Sequence, residues 1–566
     1  MIRAVATNDR GTAATETTVS ALVSRLKQHG IAQAFGIPGT HNIPVYRELA
    51  RLEIPHVAPH HEQGAGYAAD GYARSSGRPA LCLVTTGPGV TNVMTAAANA
   101  QADSIPMLIV APGLPLARQG RQTGDLHDSR DQFGAMASLV SCAERLCTPL
   151  DACAAVDRAF ASFSAGRPFP VYFELPIDCM DHPGEVNYAE PAQVRPSPPD
   201  AEGLRKAADL LNRASSVTMV LGGGASGAAD LALEVAERLG CAVVTTIAGK
   251  GTVPDDHPLN LGATLRLQST RSHMADSDVV LAVGTELSAS VLWADTPYPV
   301  RGSLIRIDID PGQLNKNGAA TVAIVSDAED AFQSLLPLLT EPAATAQTVV
   351  DEVRSRAVRE GDVDASPYRD YLAALQGCLT DEAVVVGDQA QACYYGAAQF
   401  VNRGHPRQFL MPTGYATLGY ALPAAIGAKL AAPERNVLAL SGDGGFLFTM
   451  QELATAVAET LAIPIVIFNN GGYGEIHRNM MDAGIEPAAV LFEAPDFVVL
   501  AESFGARGER AVSAKHLARL VDHAFSEDGP TVIEVKVPGP ATTRGISPAA
   551  NSAKSQARGG RHIDAA

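Results

Sequence analysis

The chain has 566 residues, a formal net charge of −18 and 46% hydrophobic residues. This length exceeds the roughly 250–300 residues that one core supports, so we predict three domains. The negative charge argues against nucleic acid or an anionic membrane as the main partner. No apolar run reaches membrane-spanning length without a charge or a Pro or Gly break, and the N-terminus lacks a signal-peptide core, which predicts a cytoplasmic protein.

Short β-branched runs alternate with longer helical patterns in three blocks, which is typical of βαβ units. We therefore predict an α/β fold with three doubly wound parallel-sheet domains. The eight cysteines form no CxxC pair and are predicted to be buried thiols. We predict three domains, residues 15–187, 202–340 and 366–540, and a flexible tail, residues 541–566. Pro-rich or charged linkers after residues 187 and 340 separate the domains.

The first block contains HVAPHHEQGAGYAADGYAR, residues 56–74, in which Glu62 precedes a run of Gly and Ala. A helix of such small residues is suited to burial against another subunit, and burial would raise the pKa of a carboxyl group. Glu62 also fits an ordinary first-turn helix position. A metal site formed by His60, His61 and Glu62 is disfavoured, because adjacent side chains do not converge on one helix face.

The first and third blocks share a faint internal repeat. LCLVTTGPGVTNVMTAAANAQADSIPMLIV in the first and VLALSGDGGFLFTMQELATAVAETLAIPIVIF in the third both give a strand, a Gly-x-Gly turn, a helix and a second strand. Pro88 lies between the glycines of the first copy, whereas Asp443 lies between those of the second. We interpret the copies as two homologous domains with different chemistry.

The middle block contains Gly222-x-Gly224-x-x-Gly227 after a predicted strand, which is the outline of a dinucleotide fingerprint. That fingerprint also needs an acidic residue at the end of the next strand. The next strand ends instead in Ile247, Ala248 and Gly249, which makes NAD an unfavoured ligand.

The third block pairs Asp443 with Asn470, which lies 27 residues later at the end of the next predicted strand. Ligands of open α/β sheets bind at the carboxyl ends of strands, so both side chains are expected at one edge. A carboxylate, an amide oxygen and a carbonyl form an oxygen set that suits Mg²⁺. For the Asn-Asn-Gly-Gly segment considered without Asp443, the alternative to a metal site is an ordinary turn.

Gly442-Asp443-Gly444, followed after 24 residues by Asn469-Asn470, resembles the thiamine diphosphate motif of the acetolactate synthase and pyruvate decarboxylase superfamily. The resemblance covers nearly the whole chain and implies pyrimidine-binding, central and diphosphate-binding domains in that order. It implies Mg²⁺ held by Asp443, Asn470 and the carbonyl of Gly472. The residues implied to contact the cofactor on this side are Gly442, Asp443, Gly444, Gly445, Asn470, Tyr473 and Gly474.

The same resemblance assigns roles in the other segments. Glu62 would meet the aminopyrimidine nitrogen of the cofactor and promote removal of its C2 proton. Leu418 would support the bent cofactor, and the carbonyl of Ala416 would accept from its 4′-amino group. Gln132 matches an active-site glutamine of acetolactate synthases, and His127 falls where decarboxylases have a proton-relay histidine, although a surface histidine is an equal alternative.

The reaction implied is addition to a 2-oxo acid with loss of carbon dioxide. After the metal turn, Ile476, Asn479 and Met480 share one helical face and are predicted to line the pocket. Acetolactate synthases commonly have tryptophan where this chain has Asn479. Glu475, with Asp482 and Glu486 nearby, is a candidate to receive a cationic substrate side chain, although solvated helix acids are the alternative.

The chain is thus most similar to 5-guanidino-2-oxopentanoate decarboxylases. An acetolactate synthase-type carboligase and a noncatalytic scaffold on the same fold are the two alternatives. The resemblance implies a homodimer or homotetramer with the active site between subunits. The segment that carries an arginine in flavin-binding relatives is here GTELSASVLW, residues 284–293, so we predict no tightly held FAD.

Overall fold

The computed structural model describes residues 14–186, 189–192, 194–340 and 346–539. The tail predicted at residues 541–566 lies outside the described residues. The strands, in chain order, are β1 (Ala14–Thr17), β2 (Ala34–Gly36), β3 (His56–Val57), β4 (Ala80–Leu83), β5 (Met107–Gly113), β6 (Cys142–Arg145), β7 (Val171–Pro176), β8 (Pro183–Val186), β9 (Val217–Leu221), β10 (Ala242–Thr245), β11 (Val279–Val283), β12 (Ser303–Asp308), β13 (Val322–Val325), β14 (Val384–Gly387), β15 (Phe409–Leu410), β16 (Val437–Gly442), β17 (Pro464–Asn469), β18 (Arg507–Ala511) and β19 (Thr531–Lys536).

The helices lie between these strands in the alternating pattern expected of βαβ units. In chain order they are α1 (Thr18–Gln28), α2 (Ile43–Arg51), α3 (Glu62–Ser76), α4 (Pro88–Asp103), α5 (Gln132–Ala137), α6 (Pro149–Ala165), α7 (Ala201–Arg213), α8 (Ala229–Leu239), α9 (Gln268–Asp276), α10 (Ala289–Leu292), α11 (Ala328–Leu335), α12 (Gln347–Ala365), α13 (Arg369–Cys378), α14 (Ala398–Phe400), α15 (Ala421–Ala431), α16 (Asp443–Phe446), α17 (Glu452–Ala458), α18 (Gly474–Asp482), α19 (Phe497–Ser503) and α20 (Ala514–Ala524).

The strands form three parallel sheets, which confirms the predicted fold class. The first sheet has the order β3-β2-β4-β5-β7-β6, the second β10-β9-β11-β12-β13, and the third β15-β14-β16-β17-β19-β18. Strands β1 and β8 add a two-stranded antiparallel ribbon that the sequence patterns did not predict. The central strands are buried continuously, as is usual for parallel strands covered by helices on both faces.

The internal repeat predicted from the sequence is present in the structure. When the strands are numbered within each six-stranded sheet, the first and third sheets have the same strand order, 2-1-3-4-6-5. The Gly87-Pro88-Gly89 turn follows the third strand of the first sheet, and Asp443 follows the third strand of the third sheet. The two copies therefore place their glycine turns at equivalent edges of two homologous sheets.

Helix α3 packs within the chain through the small residues for which the sequence analysis considered another subunit. It packs against α15 of the same chain, because glycines on both helices let the backbones approach closely. A Cβ atom added to Gly427 would lie 1.9 Å from the carbonyl oxygen of Ala68, and one added to Gly71 would lie 2.1 Å from that of Ala424. This contact joins the first and third domains through their backbones.

Gly427→Ala is expected to destabilise the protein by about 1–3 kcal/mol, because the added methyl group must push the two backbones apart. The measurement is the midpoint of thermal unfolding. Gly377→Ala is the matched control, since this exposed helix glycine has no atom within 4 Å of its added Cβ. The control is expected to be neutral or slightly stabilising, and an equal loss in both variants would contradict the packing argument.

The predictions for the second linker and for the cysteines agree with the structure in part. The charged stretch that follows the second predicted linker forms the 19-residue helix α12. All eight cysteines are free, and four of them are half-buried and not fully buried: Cys142, Cys147, Cys153 and Cys378. Among the described residues, no helix is both long and apolar enough to span a membrane.

Candidate active site

Asp443 and Asn470 lie at the carboxyl ends of the adjacent strands β16 and β17. The Oδ2 atom of Asp443 accepts from the backbone N–H groups of Gly471 and Gly472, at 2.8 and 3.0 Å. The Oδ1 atom of Asn470 lies 3.2 Å from the same nitrogen of Gly472. The side chains of two predicted metal ligands therefore converge on the peptide nitrogen of the third.

The donor set at this point fits a hard divalent cation. The Asp443 residue is 2% exposed and has no ion-pair partner among the residues described, and burial raises the pKa of its carboxyl group. A cation beside it would reverse that effect. One carboxylate, one amide oxygen and one carbonyl oxygen are the kind of ligands that suit Mg²⁺.

The turn after Asp443 packs against its neighbours closely enough that it has no room for side chains. A Cβ atom on Gly444 would lie 2.7 Å from the ring of Tyr473, and one on Gly445 would lie 2.9 Å from a carboxylate oxygen of Asp388. Gly474, also predicted at the cofactor, follows Tyr473 and begins α18, whereas Gly442 ends β16. These residues form one continuous edge around the candidate metal site.

Ala416 has φ of +58°, a left-handed conformation that is uncommon for a residue with a side chain. It is exposed, and Leu418 is half-buried. The next turn is held by Asp388, whose carboxylate oxygens accept from Gly419 N at 3.0 and 3.2 Å and from the Ser441 hydroxyl. Strained backbone of this kind often marks functional sites, which agrees with the predicted cofactor contact of the Ala416 carbonyl.

Glu62 is the first residue of α3 and is 8% exposed. Its Oε2 atom accepts from Asn92 Nδ2 at 2.9 Å, and its Oε1 atom lies 3.3 Å from the position of a Cβ on Gly89. Glu62 therefore lies beside the glycine turn of the first domain, Gly87-Pro88-Gly89. The glycine turn of the first copy thus lies beside the predicted catalytic glutamate, whereas the glycine turn of the second copy contains the predicted metal ligand.

His127 and Gln132 line one cavity of about 450 Å³ at the edge of the first sheet. The Gln132 side chain accepts from Gly87 N at 2.7 Å and donates to the carbonyl of Pro112 at 2.9 Å and to Glu174 at 3.0 Å. The amide of Gln132 is thus engaged within the chain and fixes the glycine turn beside Glu62.

His127 has φ of +65°, and a Cβ on Gly87 would lie 2.8 Å from its Cβ. Its ring stands 5.5 Å from that of His41, at 73°. The Thr86 hydroxyl donates to the carbonyl of Pro112, so the Nδ1 atom of His41, 3.1 Å away, carries the proton. Burial and the neighbouring His127 lower the pKa of His41.

Helix α18 contains the four predicted pocket residues, of which Ile476 and Asn479 are exposed and Met480 is half-buried. Glu475 accepts from Gln391 at 3.0 Å, from Tyr395 at 3.1 Å and from Arg478 at 2.9 Å. Its charge is therefore already balanced by a guanidinium group of the same chain. The predicted neighbours Asp482 and Glu486 are exposed and are not among the partners of Glu475.

A second cavity of about 710 Å³ borders the glycine turn of the middle domain. The turn continues as a 3₁₀ helix, Gly223–Ala228. Cβ atoms on Gly222 and Gly224 would lie 2.1 Å from the carbonyl oxygen and 2.9 Å from the Cα of Gly284. These glycines are explained by the close approach of two backbone turns.

Several residues of these sites were not singled out from the sequence: His41, Glu174, Asp388 and Tyr395. Of these residues, Glu174 could have been recognised from the sequence. Glu174 interrupts the otherwise apolar strand VYFELP, and a buried charge in such a strand needs partners, which here are Arg145 at 2.8 Å and Gln132. The others look like ordinary helix or loop residues in the sequence.

Three family descriptions match successive parts of the chain. They are thiamine pyrophosphate enzyme, N-terminal TPP binding domain (residues 16–135), central domain (204–335) and C-terminal TPP binding domain (391–535). These matches agree with the three sheets and with the predicted order of domains, and they support thiamine diphosphate as the cofactor.

Curated relatives align over almost the whole chain. It is 39% identical over 529 residues to Probable 2-ketoarginine decarboxylase AruI of Pseudomonas aeruginosa, covering 92% of this chain and 94% of the relative. It is 32% identical to Probable acetolactate synthase large subunit of Methanocaldococcus jannaschii, with 91% of each chain covered. It is 30% identical to Acetolactate synthase isozyme 1 large subunit of Escherichia coli, with 91% and 93% covered. The predicted resemblance is confirmed, and the chain belongs to the thiamine pyrophosphate enzymes.

Proposed function

We propose that the protein is a non-oxidative 2-oxo acid decarboxylase that uses thiamine diphosphate and Mg²⁺ and accepts a 2-oxo acid with a cationic side chain, such as 5-guanidino-2-oxopentanoate. The observation that carries the proposal is the meeting of Asp443, Asn470 and Gly472 at the ends of two adjacent strands. The 39% identity to a relative named as a 2-ketoarginine decarboxylase supports the choice of substrate. Asn479, in place of a tryptophan common in acetolactate synthases, supports decarboxylation.

Thiamine diphosphate, when bound, would supply a nucleophilic carbon and an electron sink for decarboxylation of a 2-oxo acid. Asp443, Asn470 and the Gly472 carbonyl would hold Mg²⁺, which would allow the diphosphate to bind beside a carboxylate. Glu62 would hold and move a proton at the aminopyrimidine nitrogen, and Leu418 would support the bent cofactor. His127 and Gln132 line the cavity of about 450 Å³ at the edge of the first sheet. The active site lies between subunits of a homodimer or homotetramer.

The second candidate is an acetolactate synthase-type carboligase, which the 32% and 30% identities favour. The purified protein is expected to release aldehyde and carbon dioxide from 5-guanidino-2-oxopentanoate only when both thiamine diphosphate and Mg²⁺ are present. Acetoin formation from pyruvate after acid treatment, together with a yellow flavin spectrum, would favour the carboligase. Absence of carbon dioxide release from a panel of 2-oxo acids would favour the noncatalytic scaffold.

Glu475→Gln tests the cationic side chain. Arg478 already donates to this carboxylate, so a substrate guanidinium must share Glu475 with Arg478 or displace it. Loss of a charge-assisted hydrogen bond is expected to raise KM for 5-guanidino-2-oxopentanoate about 10-fold or more. KM for 2-oxohexanoate, which is uncharged at that end, is expected to change less than about twofold.

Glu486→Gln, at an exposed position, is the matched control for Glu475→Gln. An equal rise in KM for both substrates would show that Glu475 shapes the pocket in general. Unchanged KM values for both substrates would show that Glu475 pairs with Arg478 and does not contact the substrate. Either result would contradict the proposed contact with a cationic substrate.

A further inference from the structure

Glu452 is a fully buried glutamate at the contact between the first and third domains. It begins α17, seven positions after Gly445 of the candidate diphosphate turn. Its two carboxylate oxygens lie 3.2 and 3.1 Å from the backbone nitrogen of His60, and Oε2 accepts from the Thr455 hydroxyl at 2.7 Å. A side chain of the third domain thus binds the backbone of the first.

The bound backbone leads directly into Glu62. His60 and His61 immediately precede it, and the Nδ1 atom of His61 accepts from Gln63 N at the start of α3. The Thr455 hydroxyl donates to Glu452, so it accepts from the Nδ1–H of His60, 3.0 Å away. The turn before Glu62 is therefore fixed to α17 through both its backbone and a side chain.

Close packing leaves no alternative place for this carboxylate. A Cβ atom on Gly64 would lie 2.3 Å from Oε1 of Glu452, so the first turn of α3 has room for Glu452 only because residue 64 is glycine. Burial raises the pKa of Glu452 to about 7. A buried carboxylate without a cation is unfavourable, and the donors that offset this cost are the backbone N–H of His60 and the hydroxyl of Thr455.

We propose that Glu452 is a positioning residue for Glu62: it fixes the turn at His60 and His61 and so sets the direction of the Glu62 carboxylate. Because α17 follows the diphosphate turn, the same short segment connects the cofactor-binding edge of the third domain to the glutamate of the first. The inference rests on the proposed role of Glu62 in the proposed function.

Glu452→Gln is the test, because glutamine keeps the volume but replaces one acceptor oxygen with an NH₂ group that faces the His60 N–H. In the cofactor-free protein, amide hydrogen exchange at His60 and His61 is expected to rise about 10-fold. With thiamine diphosphate and Mg²⁺, the rate of deuterium exchange at the cofactor's C2 position and kcat are each expected to fall about 10-fold or more. KM for the 2-oxo acid and Kd for thiamine diphosphate are expected to stay within about twofold.

Two further variants keep the test decisive. Glu459→Gln alters a carboxylate at the end of the same helix and is expected to match the wild type in every measurement. Thr455→Val removes the hydroxyl that contacts both Glu452 and His60, and it is expected to change each quantity in the same direction, which carries the test if Glu452→Gln does not fold. Wild-type values for C2 exchange in both Glu452→Gln and Thr455→Val would overturn the proposal, as would an equal loss in Glu459→Gln.

The outcome is separable from the proposed function. C2 exchange is measured with the cofactor alone and needs no 2-oxo acid. A wild-type protein that catalyses C2 exchange but releases no carbon dioxide would contradict the decarboxylase proposal while leaving the role of Glu452 supported.

Discussion

Asp443→Ala is expected to abolish measurable thiamine diphosphate binding and to lower decarboxylation by at least about 10³-fold, because a metal that neutralises a diphosphate contributes several kcal/mol. The carboxylate is 2% exposed and bonds the backbone of Gly471 and Gly472, so its removal eliminates the charged ligand and loosens the neighbouring turn. The measurements are calorimetric titration with the cofactor in the presence of Mg²⁺ and steady-state carbon dioxide release.

Asp443→Asn separates the two effects. Asparagine keeps an oxygen that accepts from Gly471 and Gly472 but lacks the negative charge. The free energy of unfolding without cofactor is expected to stay within about 1 kcal/mol of the wild type, while cofactor binding is lost as in Asp443→Ala. Full activity in either variant would refute the metal assignment, and loss of the fold in Asp443→Asn would show that the residue is mainly structural.

Glu62→Gln is expected to slow turnover about 10²–10⁴-fold, the usual range for loss of a positioned acid or base. The carboxyl group is 8% exposed beside the Gly87–Gly89 turn and is held by Asn92. Glutamine fits the same space, so Kd for thiamine diphosphate is expected to change little. The measurements are kcat and the rate of C2 deuterium exchange, both of which must fall together.

Glu502→Gln is the control for this variant, since it makes the same chemical change at an exposed position on α19. A Glu62→Gln protein as active as the wild type would favour neither enzymatic mechanism proposed for the chain. A fall in kcat with unchanged C2 exchange would move the role of Glu62 to a later step.

The parts of the fold that the sequence predicted are those set by local patterns. Alternating strands and helices predicted three α/β units, and the two glycine turns predicted the repeat that the shared strand order confirms. The candidate metal site was predictable because two strands that follow each other in a parallel sheet bring Asp443 and Asn470 to one edge. The role of Glu62 came from family resemblance and not from its own surroundings.

Contacts between domains were not predictable in this way. Glu452 lies in an ordinary helical pattern, and its partner His60 is 392 residues away in the chain. Glu475 follows the predicted metal turn in the chain, but its pairing with Arg478 and Tyr395 depends on how α18 packs against the helical segment Ala392–Ala397 that carries Tyr395. The small residues of α3 predicted a close packing surface, but the sequence did not show that α15 of the same chain packs there.

The sequence by itself determined the fold class, the repeat and the strand-end positions of Asp443 and Asn470, because periodicity and strand-end position are local properties of a chain. Only the tertiary structure decided which carboxylates pair with a cationic side chain and which accept hydrogen bonds from the backbone alone. Glu475 is balanced by Arg478, whereas Asp443 is buried with backbone partners and no cation among the described residues. The reason is physical: the charge and orientation of a side chain depend on groups that the fold brings within about 3 Å, and most of those are distant in sequence.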